Sequence, residues 1–182
     1  MQITYELIKS LKPCYRPEDI GITEGYTANI PEFINKYRHK VKNKDDIIWI
    51  LCHDEFMTDR ELRLFAVWCA RRVQHLIVNK KCIHIIDVAE RYAKGLATYE
   101  ELVSAKESAY AEFGVFSRLF EYPTPGSPYI DYAIESAIAS AISTPRIAAW
   151  DSAMYSAKAS WYNDMDIQVD KLLEIFIEKE KK

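Results

Sequence analysis

Between Glu61 and Ile77 the chain reads ELRLFAVWCARRVQHLI, and Leu62, Phe65, Ala66, Cys69, Val73, Leu76 and Ile77 recur at three- and four-residue steps. That is the period of a helix face turned toward a core. Leu64, Val67 and Trp68 widen the apolar stripe, leaving a narrow sector in which Arg60, Arg63, Arg71 and Gln74 face water. A helix so apolar around its circumference needs other helices packed about it. The expectation is an all-α fold: a single compact domain over residues 1–182, with about eight helices around a central buried helix at 58–78. Leu62, Phe65, Ala66, Trp68, Cys69, Val73 and Leu76 belong near its centre. Five glycines in 182 residues are too few for a sheet-rich fold with many tight turns.

The punctuation agrees. Residues 2–10 read as a short helix, and Pro13, Pro17 and Gly21 then break the pattern. Asn29 caps a helix that starts at Pro31, with Phe33, Ile34, Tyr37 and Val41 inward. The run 47–52, IIWILC, carries no period and fits a buried strand or a buried helix; Asp45 and Asp46 before it favour helix. Thr58 with Glu61, and Thr98 with Glu101, are capping boxes. Gly95 closes one helix, and the next runs from Tyr99 to about Phe120. YPTPGSP at 122–128 is a linker, and the C-terminal helices occupy 129–182 with starts at Ser127-Pro128 and Thr144-Pro145. In those helices Ala133, Ala137 and Ala141, and Ala149, Ala153 and Ala157, lie four apart, with serines beside them. Small residues on one ridge let helices approach closely. They predict an antiparallel hairpin docked on the domain; the alternative is a homo-oligomer seam through the same six alanines.

Candidate chemistry is sparse. His53-Asp54 is an adjacent pair of the kind found in helical metal-dependent phosphohydrolases, with His39 and Asp87 cast as the other ligands. Asp54 has a plainer role, placing negative charge before the central helix. Cys52, His53, Cys82 and His84 have zinc-ligand chemistry, but neighbours on a helix diverge by about 100° and do not converge on one ion. Cys69 sits on the buried stripe and reads as a core residue. Neither a metal nor a cofactor is expected.

Arg60, Arg63 and Arg71 share related faces, with Arg72 and His75 adjoining. Guanidinium groups can clamp a phosphate or carboxylate, and Trp49, Trp68 or Tyr92 can stack on a base. The plainer reading pairs these arginines with Asp54, Glu61, Asp87 or Glu90 to hold helices in register. Asp87 to Arg91 and Glu90 to Lys94 are four-step pairs of the same kind. Candidate ligand- or partner-binding residues are Arg60, Arg63, Arg71, Arg72, His75, Trp49, His53 and Asp54.

The segment DDIIWILCHDEFMTDRELRLFAVWCARRVQHLI, followed by IDVAERYAKGLATYEEL, resembles the immunity proteins of bacterial polymorphic toxin systems, whose relatives also occur in phage genomes. The likeness lies in an aromatic-aliphatic entry (Trp49) and a Cys-His pair (Cys52, His53). It continues in the R-x-L-R-x-F-A-x-W-C-A-R helix from Arg60 to Arg71 and the D-V-A-E-R-Y-A-x-G end from Asp87 to Gly95. It spans residues 45–102. Beyond Leu102 this chain departs, with Phe113, Phe116, Phe120 and the proline-rich insert where relatives are more evenly alanine-rich. The resemblance implies a non-catalytic protein that neutralises a cognate toxin by direct binding. Two alternatives stand beside it: a phage counter-defence protein that sequesters a nucleotide or binds a host defence component, and a metal-dependent phosphohydrolase.

A net charge of -3 gives no basic footprint for nucleic acid. The opening MQITYELIKSLK is too short in apolar residues for a secretory signal, and the longest apolar run, Ile47 to Cys52, is far below a membrane span of about 20 residues. Four scattered cysteines read as reduced thiols. A cytoplasmic location, in a bacterium or a phage-infected host, is expected, with no membrane partner.

Overall fold

The structure is a computed structural model. It describes residues 1–41, 44–119, 127–142, 144–160 and 164–181, with side chains left out at 113–119 and 127–128. The fold is all-α: nine α-helices and one two-stranded pairing occur among the described residues. They fall into two compact units, one of residues 1–56 and 165–182, the other of residues 57–164.

The first unit begins with β1 (Gln2–Thr4), which pairs antiparallel with β2 (Thr27–Asn29), Ile3 opposite Ala28. The single helix expected over 2–10 is therefore split. Residues 2–4 are strand, and only Tyr5–Ser10 is helical (α1), with Thr4 accepting from the Leu7 amide as cap. The returning segment 22–29, not local pattern, makes the difference. Asn29 accepts from the Glu32 amide at 2.8 Å and starts α2 (Ile30–Tyr37). The ambiguous run is helix: α3 spans Asp45–Leu51. Helix α9 (Met165–Glu180) packs on α2 and α3, burying Val169, Leu172 and Phe176.

The second unit is built on α4 (Asp59–Val73), which continues as a 3-10 turn at Gln74–Leu76. Both bonds of its capping box form: Glu61 N–H donates to Thr58 Oγ1 at 3.3 Å and Thr58 N–H to Glu61 Oε2 at 2.8 Å. Leu62, Phe65, Ala66, Cys69 and Val73 are buried as expected, while Trp68 and Leu76 are half-buried. Helix α5 (Lys80–Ala93) ends at Gly95, whose φ of +74° suits glycine. Helix α6 spans Tyr99–Leu119; the linker at 122–126 and Phe120 lie outside the described residues.

Helices α7 (Ser127–Ala139) and α8 (Pro145–Ala159) form the expected hairpin, docked on α4 chiefly through α8. Ser136 Oγ donates to Ser152 O at 2.9 Å, and Ser152 Oγ donates back to Ser136 O at 3.0 Å. All six ridge alanines are buried within the chain, at most 2% exposed. An oligomer seam through Ala133, Ala137, Ala141, Ala149, Ala153 and Ala157 would require this hairpin to open.

Candidate functional site

Trp49, His53 and Asp54 belong to the first unit. His53 is buried, and its Nδ1 lies 2.7 Å from Trp49 O and 3.1 Å from Ile50 O. Carbonyls only accept, so Nδ1 carries the proton and satisfies the end of α3. The ring also meets the Trp49 indole edge-on, centroids 5.0 Å apart. Trp49 Nε1 donates to Leu11 O at 3.4 Å. Asp54 and His39 are exposed. No group of three or more His, Cys, Asp or Glu side chains is positioned to hold a metal among the described residues.

The arginines belong to the second unit and part company there. Arg60 is exposed. Arg63, expected in the solvent sector, is buried at 9% exposure. Its Nη1 donates to Ile142 O at 2.9 Å, and its guanidinium lies 5.0 Å over the Tyr92 ring. The turn after α7 covers α4 at Arg63, while Arg60 stays exposed and Arg71 and Gln74 are half-buried. Arg71 bridges three acceptors: Nη1 donates to Gln74 Oε1 at 2.7 Å, and Nη2 to Asp87 Oδ1 at 2.6 Å and Glu90 Oε2 at 2.8 Å. The Lys94 ammonium first, and then Arg71, hold the Glu90 carboxyl below the usual carboxylate range. Glu90–Lys94 forms as the spacing predicts. Asp87 turns to Arg71 instead of Arg91, which reaches Leu96 O and Glu101.

Arg72 makes a two-pronged ion pair with Asp164: Nε to Oδ2 at 3.1 Å and Nη2 to Oδ1 at 2.8 Å. Asp164 is buried, and the guanidinium lies 5.6 Å over the Trp68 ring. His75, next to it, is exposed and donates from Nδ1 to Arg72 O at 3.1 Å. Arg72 and His75 line a cavity of about 470 Å³ between the end of α4, the start of α7 and the end of α8. Its wall is apolar at Val73, Leu76, Ile130 and Ala159, with Tyr129, Ser160 and Asp164 polar. Of the candidate binding residues named from the sequence, Arg72 and His75 are brought together at this concave surface. Asp164, Ser160 and Tyr129 were not anticipated. They lie over fifty residues downstream and join Arg72 only through the α7–α8 fold, so no local pattern announces them.

A second, more polar groove of about 510 Å³ lies between α5 and α6, with Val88 and Ala105 among Lys81, His84, Arg91 and Glu101. On α7 and α8, Asp131, Glu135 and Asp151 are half-buried. Burial pushes all three carboxyls up, and in Glu135 the charges of Asp131 and Asp151 add to it.

No family model matches the chain, and neither a curated protein nor a solved structure is significantly similar to it. No helix among the described residues is long and apolar enough to cross a membrane.

Proposed function

We propose that the chain is a non-catalytic binding protein of the immunity type, acting in the cytoplasm by occluding the active site of a cognate protein toxin. The observation that supports this reading is the fate of the side chains carrying the resemblance. His53, Arg63 and Arg71 are spent on the protein's own carbonyls, carboxylates and rings. They hold a scaffold; its outward residues are left to meet a partner. The nucleotide-clamp alternative needs Arg60, Arg63 and Arg71 presented together, whereas Arg63 is buried under the α7–α8 turn and Arg71 is bonded at both terminal nitrogens.

The test is co-expression with a panel of bacterial toxin domains (nucleases, deaminases, NAD-cleaving enzymes and pore formers) in a bacterial host, with growth as readout. The expected outcome is rescue from one toxin and recovery of a one-to-one complex. Rescue of none, or rescue by consumption of the toxin's product without a complex, contradicts the reading.

A further inference from the structure

We propose that the cavity at the end of α4 is a binding site for a small, uncharged, planar heterocycle bearing a lactam edge, a C=O beside an N–H, of nucleobase size. The site stands apart from the toxin-binding reading and does not depend on it. Its size, about 470 Å³, lies in the range of about 300–1,000 Å³ typical of small-molecule pockets. Its wall is apolar over Val73, Leu76, Ile130 and Ala159, which suits a flat ring.

The polar groups set the edge chemistry. Arg72 spends Nε and Nη2 on Asp164, leaving the two N–H donors of Nη1 without a partner among the described residues. His75 spends its Nδ1 proton on Arg72 O, leaving Nε2 as an acceptor. Ser160 Oγ donates to Ser156 O and Ala157 O, both at 3.0 Å, so toward a ligand its hydroxyl accepts. Donors and acceptors lining one cavity suit a ligand that carries both an oxygen and an N–H.

Charge argues against a phosphate. The Arg72 guanidinium is already balanced by the buried Asp164 carboxylate, and an incoming dianion would meet that carboxylate as well. Trp68 under the guanidinium and the two-pronged bond hold the donor edge in place before any ligand arrives, which lowers the ordering cost of binding.

The experiment is calorimetric titration of the full chain with guanosine and with uridine. Controls are their ring-N-methylated forms, which lack the lactam N–H, and inorganic phosphate. Saturable binding of at least one nucleoside is expected, with loss on N-methylation and no competition by phosphate. His75→Ala, at an exposed position, should melt like wild type and bind about fivefold to tenfold more weakly, the loss of one hydrogen bond. Ile130→Trp, which fills the cavity from a half-buried position, should abolish binding. No saturable binding of either nucleoside overturns the proposal, as does binding of phosphate alone or nucleoside binding indifferent to both substitutions.

Discussion

Arg63 and Arg60 stand one turn apart on the same helix and have opposite fates. Arg63 carries a buried charge whose partners include the Ile142 carbonyl and the Tyr92 ring. Arg63→Ala should cost about 2–3 kcal/mol in a urea melt, since a charged hydrogen bond and a desolvated cation–π contact go together. Arg60→Ala should fall within about 0.5 kcal/mol of wild type. Equal losses at both positions would contradict this assignment. Helical period placed both in water; what covers Arg63 comes from a turn 79 residues later, which no local pattern encodes. The Arg71 pairing was legible, because Asp87 and Glu90 share a face of the next helix. Asp46, 5% exposed, carries a different signature: burial raises its carboxyl above the ordinary Asp value. A raised acid favours the fold fully below the unfolded value of about 3.9, and that contribution is lost as pH rises through the folded value. Asp46→Asn should therefore gain stability relative to wild type between pH 3 and pH 7. A difference that does not change with pH would refute it.

At the level of elements, caps and spacing read reliably where the partner is local. Both Thr-to-Glu boxes form, and Asn29, Pro31 and Gly95 act where their chemistry puts them. Phe65 is fully buried on α4, so Phe65→Ala should cost about 3–5 kcal/mol; a loss under about 1 kcal/mol would contradict its core position. The α7–α8 hairpin rests on close approach. Ala137 and Ala153 have no exposed surface, and each of Ser136 and Ser152 donates its hydroxyl to the other's backbone carbonyl. Ala153→Leu should destabilise by about 1–3 kcal/mol through overpacking. Ser152→Ala should cost only about 1 kcal/mol, because Ser136 O still accepts from the Ser140 amide at 3.1 Å. A larger loss for the serine than for the leucine variant would invert this account. The N-terminal strand was not legible, since Gln2–Thr4 pairs with residues 23 to 27 positions on.

On the scale of the whole molecule, the first unit takes its material from both ends of the chain, with α9 packed on α2 and α3. The segment 45–102 contributes to both units, α3 and His53 to one and α4 and α5 to the other. Its His53, Arg63 and Arg71 side chains serve as fasteners, each within its own unit. The cavity was half legible: Arg72 and His75 stood out by position, while Asp164, Ser160 and Tyr129 reach them only through tertiary packing. The central claim, stoichiometric binding without turnover, is tested most directly by titrating a toxin identified by growth rescue with purified chain and measuring residual toxin activity. The account predicts a linear fall to zero at one equivalent. Full neutralisation at a small fraction of an equivalent would show turnover and contradict it.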